Sequence, residues 1–448
     1  MILIIQKFVV YHILNRGSKI VLPVIMNGLS LYRRWILMSL LNFLLVALVG
    51  VVLRYKVAFS LPAVNYKYLL HAHSHFAFSG WITTALFTAL VYILSRSGVV
   101  IGRAYTYMFR LLQVSSFGML LSFPVQGYGA VSIFFSALGM VFSWWFAWRY
   151  YRDMRRSTLP PLVCKWIGAS LFFHVLSGAG PLMLAYCMTH HLGQAFYFNS
   201  VYFFLHFQYN GWFTFALGGL LFHVAERYRV GVSGIMGRWF FRFMAMACIP
   251  AYCLSVLWMS PPKWVVALAA WGAAAHGLAL VIFVWLIWHS RRQWSGLLSG
   301  GTKWLWRFSG MAWVIKISLQ GLTVIPAMGN FAFGFRPVII AYLHLVMLVF
   351  ASLFLVGFFL REKLLDSRPG LWRYGFATFV SGVLLNEVFL LWDALPVLRL
   401  PFIHLLTLLL LSTACLMGMG LSCILLSQGC TKKIFSHQLE CRGDFEYR

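Results

Sequence analysis

Twelve apolar runs, each long enough to cross a bilayer, govern what this chain can become. They lie near 35–53, 68–95, 104–124, 128–148, 163–188, 199–225, 239–259, 264–289, 308–328, 338–360, 371–392 and 400–427. The connections are short and leave no room for a soluble domain. Residues 31–428 therefore read as one all-α transmembrane domain. In lipid every backbone N–H and C=O must find its partner inside the protein, which leaves helices or a closed barrel. Barrel strands would alternate over about 10 residues, and these runs do not. Only 10% of the residues are charged and 61% are hydrophobic, whereas a soluble domain is about 25% charged. A soluble enzyme, a disordered chain and a secreted disulfide scaffold are excluded. The eight cysteines form no Cys-x-x-Cys and mostly lie inside apolar runs, where they serve as small apolar residues.

The formal charge is +27, from 36 Lys and Arg against 9 Asp and Glu. In a soluble protein that would suggest nucleic acid. Here the basic residues occupy short loops, where they set orientation and meet anionic lipid, so the bilayer is the expected partner and nucleic acid is not. The loops after runs 2, 4, 6, 8 and 10 hold eighteen Lys or Arg between Arg96 and Arg373, and the opposite loops hold six. That asymmetry predicts cytoplasmic termini in a bacterial-type inner membrane, with even-numbered helices running outside to inside. Residues 1–30 read as an N-terminal extension, expected to be disordered. Lys7, Arg16 and Lys19 break a short apolar stretch that has no small-residue cleavage site, and Met26 opens a more conventional start. Residues 429–448 read as a cytoplasmic tail.

One internal similarity stands out. His75-Phe-Ala-Phe-Ser-Gly-Trp-Ile-Thr-Thr-Ala-Leu86 in run 2 matches His206-Phe-Gln-Tyr-Asn-Gly-Trp-Phe-Thr-Phe-Ala-Leu217 in run 6 at seven of twelve positions. Run 10 keeps the histidine, His344, and loses the Gly-Trp. Four helices separate each member from the next, so a three-fold repeat of four-helix units is the economical account.

Intramembrane histidine is costly unless paired or liganded. His75, His206 and His344 each fall about seven residues into a run, roughly 10 Å below the surface. A layer of imidazoles at one depth is what a haem or metal site requires. A lone His more simply bonds a neighbouring helix, but agreement of depth and repeat position favours a site here. In His71-Ala-His73-Ser-His75, His71 and His75 share a helix face and His73 points about 200° away. His404 is out of step with the others.

These features resemble subunit I of the haem-copper oxidases over most of residues 31–427. The His71-Ala-His73 opening is also similar to that of NnrS-type haem and copper membrane proteins. The resemblance implies twelve helices in pseudo-three-fold repeats and one low-spin haem b. Its axial ligands would be His344 and a histidine of run 2, His75 or His71, with His73 beside them. His206 would map to a copper ligand, with His404 a further candidate metal ligand. Trp81 and Trp212 would line the haem pocket. Two departures matter. Run 7 lacks the adjacent His-His pair that completes the family's copper site. Run 10 reads Tyr342-Leu343-His344, where the family has His-x-His. An oxygen-reducing centre would thus be incomplete, leaving electron transfer or haem and copper handling. An electron donor and small partner subunits are the expected partners.

Lys316 and Glu387 are ionisable groups inside apolar runs and would serve a proton path. They also support an alternative, a cofactor-free transporter or proton-translocating protein. An active terminal oxidase with unusual ligands is a third reading.

Overall fold

The structure, a computed structural model, describes residues 31–368 and 370–443. The expected N-terminal extension, residues 1–30, lies outside them. The described residues are helical, with no strand. We label the long helices α1 (Leu31–Ala58), α2 (Tyr66–Arg96), α3 (Arg103–Gln126), α4 (Ala130–Met154), α5 (Pro161–Thr189), α6 (194–227), α7 (Ile235–Met259), α8 (Lys263–His289), α9 (Gly300–Leu322), α10 (Arg336–Arg361), α11 (Gly370–Asp393) and α12 (Pro396–Gln428). Beyond Gln428 the last helix continues to Gly443, through much of the expected tail. The described cysteines are free thiols.

Ten of these helices are long and apolar enough to span a membrane, so this is a multi-pass membrane protein. Twelve runs were expected. The two exceptions have physical causes. In α9 the helix stops at Leu322, and a short helix, Pro326–Gly334, leaves at 114°. Pro326 has no N–H to continue the ladder. Counting that bent pair as one span gives eleven. Helix α6 carries Asn199, His206, Gln208, Asn210 and His223, which lower its hydropathy. It tolerates them because it is shielded from lipid, with Phe213, Phe215 and Ala216 fully buried.

The centre of the bundle is formed by α2, α6 and α10, which pack on one another. In α2, 83% of the most apolar window is buried, against 28–50% in the other spans. Helices α5 and α9 pack outside α6 and α10 respectively. Helix α1 lies on α2, where Phe43 stacks on Trp81 at 4.2 Å between ring centroids. Two aromatic contacts repeat in parallel. Trp35 stacks on Phe109 at 4.6 Å and Trp166 packs on Phe240 at 5.2 Å. Trp35 and Trp166, Phe109 and Phe240, and His75 and His206 are all separated by the same sequence spacing.

Each central helix widens into one π-helical turn, at Ala77–Thr83, Phe207–Phe213 and Leu345–Ser352. Each turn begins within two residues of His75, His206 or His344. A π turn inserts a residue and turns carbonyls out of the α ladder. A hydroxyl five residues on closes each one: Thr84 donates to Ser79 O at 2.9 Å, Thr214 to Tyr209 O at 2.6 Å and Ser352 to Met347 O at 2.7 Å. The neighbouring helices add Asn42 Nδ2 to Gly80 O (2.6 Å) and Ser309 Oγ to Phe350 O (2.7 Å).

At their C-terminal ends the three central helices meet at one carboxylate. Glu362 Oε2 accepts from Tyr92 Oη of α2 at 3.0 Å and from the Arg227 guanidinium of α6 at 2.9 Å. Gln428 joins the same end of the bundle to the loop after α10, donating to Asp366 O at 2.8 Å. Arg33 at the start of α1 reaches Gln428 O at 3.1 Å. Both described ends of the chain's membrane domain therefore lie at this end, which also carries most of the basic loops. Glu362→Ala would leave a buried hydroxyl and a half-buried guanidinium unmatched. We expect a loss of about 1–3 kcal/mol, read as a lower melting temperature in detergent, with Tyr92→Phe milder. Melting unchanged from wild type would show that the junction does not bind the three helices together.

Candidate functional site

The α2 histidines divide between two faces. His75 Nε2 lies 3.1 Å from Tyr128 Oη, and its ring stacks on Phe123 at 4.5 Å. His71 packs against the same Tyr128 ring at 4.7 Å. These two look toward α3 and the loop after it. His73 looks the other way, to α1 and α10. Its Cε1 lies 3.3 Å from where a Cβ on Gly50 would stand, so the glycine leaves it room. Its Nδ1 is buried without a hydrogen-bond partner, and its titratable neighbours are His344 and Arg54.

His344 is oriented by its own helix. Nδ1 lies 2.9 Å from Ile340 O. A carbonyl only accepts, so the proton sits on Nδ1 and the Nε2 lone pair stays open. Metal-binding imidazoles are held in this way. His75 thus faces α3, whereas His73 has His344 among its titratable neighbours. His344 Nε2, and the orphaned His73 Nδ1 that lies toward Gly50 of α1, are each chemically able to ligate iron.

A second polar cluster joins α6 to α9. His206 Nε2 lies 2.8 Å from Cys248 O of α7. That carbonyl is available because α7 tightens to a 3₁₀ helix at Pro250–Met259, where Tyr252 N bonds Ile249 O instead. His206 therefore donates from Nε2 and accepts at Nδ1, where Asn210 Nδ2 approaches to 3.0 Å. The amide oxygen of Asn210 accepts in turn from Lys316 Nζ of α9. Lys316 is fully buried, with the Tyr209 ring 5.8 Å away. His276 of α8 is buried nearby, its Nδ1 unpartnered and Lys316 and His206 among its neighbours. In this arrangement neither nitrogen of His206 offers a metal a free lone pair. Among the described residues no group of three or more His, Cys, Asp or Glu stands close enough to hold a metal ion.

The other expected site residues fall elsewhere. Trp81 Nε1 donates to Ser352 Oγ at 2.7 Å, tying α2 to α10. Trp212 stacks on His174 of α5 at 4.5 Å, and its Nε1 has no partner. Glu387 accepts only from its own neighbour Asn386, at 3.3 Å, so it is not joined to Lys316. His404 is exposed near the start of α12. Sequence reasoning does not single out Asn210 or Tyr128, and gives His174 little weight. Asn210 occupies a variable position of the repeated frame, where Ser79 stands in α2. Its polarity inside an apolar helix was the available signal. No family profile matches the chain, nor does any curated protein.

Removing one partner of a buried charge costs more than removing both. Asn210→Ala should therefore destabilise the protein by about 3–5 kcal/mol. Lys316→Met should cost less, and the double variant should regain much of the loss. Additive losses in a double-mutant cycle of detergent melts would show that Asn210 does not hold the ammonium.

Proposed function

We propose that this chain is a divergent membrane protein of the haem-copper oxidase subunit I type. Its twelve helices form three four-helix repeats, and it binds one low-spin haem b between α2 and α10. Its work is electron transfer or haem and copper handling in a bacterial-type inner membrane, with both termini cytoplasmic. What supports this reading is that His73 and His344, on adjacent central helices, are titratable neighbours, with the His344 Nε2 lone pair open. The repeat draws support from the three π turns, each beside a histidine, and from the shared spacing of the Trp35–Phe109 and Trp166–Phe240 contacts.

A haem held between two imidazoles exchanges single electrons and has no open position for oxygen. The chain's part is to position and insulate. Ile340 O orients His344, and Gly50 makes room for His73. The Trp81–Ser352 bond keeps α2 and α10 at a fixed spacing. An electron donor and small partner subunits belong to this reading. Copper at His206 would require Asn210 to release Nδ1.

A cofactor-free proton-translocating protein is the second reading. The buried Lys316, with no carboxylate partner, is what favours it.

A reduced-minus-oxidised spectrum of the purified protein separates the two. The expected result is a sharp low-spin b-type spectrum, insensitive to carbon monoxide. It should disappear in His73→Ala and His344→Ala and persist in His75→Ala. Protein purified without haem would sink the first reading. Loss in His75→Ala alone would move the α2 ligand to the opposite face.

A further inference from the structure

Between Glu226 and Glu362 the chain contains no acidic residue. Helices α7, α8 and α9 lie wholly within that stretch and pack side by side. At the end of the bundle that carries the basic loops they present Arg238, Arg242, Arg291, Arg292, Lys303 and Arg307. The loops that carry them touch, with Gly231 N donating to Gln293 Oε1 at 2.9 Å. Among the described residues none of these six cations forms an ion pair with a carboxylate, so the cluster draws its anions from elsewhere.

The arginines are also paired with tryptophans at helical spacing. Arg242 lies over Trp239 at 4.7 Å, Arg291 over Trp288 at 4.4 Å and Arg307 over Trp304 at 5.1 Å. All three indoles are exposed, Trp288 by 67% and Trp304 by 54%. Exposed tryptophan is characteristic of the headgroup level of a bilayer, and a guanidinium stacked on an indole keeps N–H groups for a phosphate, Arg291 spending Nη1 on Trp288 O at 3.0 Å. Phe222, Phe240, Phe283, Leu286, Ile287 and Trp294 pack together beside the cluster. Trp294 belongs to the short helix Arg291–Leu297 that also carries Arg291 and Arg292.

We propose that this end of α7–α9 is a binding site for an anionic phospholipid. The arginines take the headgroup phosphate, the indoles lie at the glycerol level, and an acyl chain lies along the exposed apolar face of α8 at Val281 and Val284. Anionic lipid is favoured over a soluble anion because three of the six cations lie over exposed indoles, beside apolar surface. A soluble anion would need neither. The site is independent of the haem reading.

Native mass spectrometry of the full-length protein in detergent tests it, with phosphatidylglycerol and phosphatidylcholine of identical acyl chains as probes. Phosphatidylglycerol should bind roughly tenfold tighter. The triple variant Arg242→Gln, Arg291→Gln, Arg307→Gln should lose that preference, and the corresponding lysine triple should keep most of it. A control triple, Arg103→Gln, Arg155→Gln, Arg156→Gln, removes equal charge elsewhere in the basic loops and should bind as wild type. Equal affinity for the two lipids, equal loss in the control, loss in the lysine triple, or displacement of the lipid by inorganic phosphate would each overturn the proposal.

Discussion

Three helices packed on one another set the positions of everything else in this protein. Helices α2, α6 and α10 are buried by their neighbours, so they need not be apolar all round. That freedom admits His206, Gln208, Asn210, Thr84 and Ser352 to the interior. It comes with a constraint, since every donor and acceptor placed there must be answered by protein. The π turns follow from it. Each turns a carbonyl out of the helix, and each carbonyl meets a hydroxyl or amide supplied by the same helix or the next one outward. Close approach makes such short bonds reachable. A Cβ at Gly211 would stand 2.4 Å from Phe173 Cβ, and one at Gly357 2.6 Å from the Trp306 ring.

The placement of the helices was legible because apolar run length is a direct consequence of bilayer thickness. The similarity around His75 and His206 is legible too, and π turns begin beside both of them and beside His344. Three things were not. Run 6 reads like any other span, yet its polar residues are affordable only because others cover it, which is a tertiary fact. Run 9 was placed at 308–328 without regard to Pro326, and the helix breaks just before it. The junction at Glu362 depends on which helix ends meet, and a loop carboxylate gives no hint of that.

The α2 histidines show how periodicity constrains and where it stops. The 3.6-residue turn correctly puts His71 and His75 on one face and His73 on another. It does not say which face looks inward. Depth and repeat position together single out His75, the member of the repeated frame. Packing then turned that residue to Tyr128 and Phe123 and left His73 facing α1 and α10.

The two polar clusters differ in a way that follows from proton placement alone. Both His206 and His344 give one N–H to a backbone carbonyl, which fixes the tautomer. In His344 the carbonyl is four residues back on the same helix, so the remaining lone pair projects outward and stays open. In His206 the carbonyl belongs to α7, and the remaining lone pair is taken by Asn210, itself held by Lys316. One imidazole is oriented and available, whereas the other is oriented and occupied. Two histidines, each beside a π turn, thus stand in opposite hydrogen-bonding states. The residue that decides it is not a histidine but the amide four positions on, with a lysine behind it.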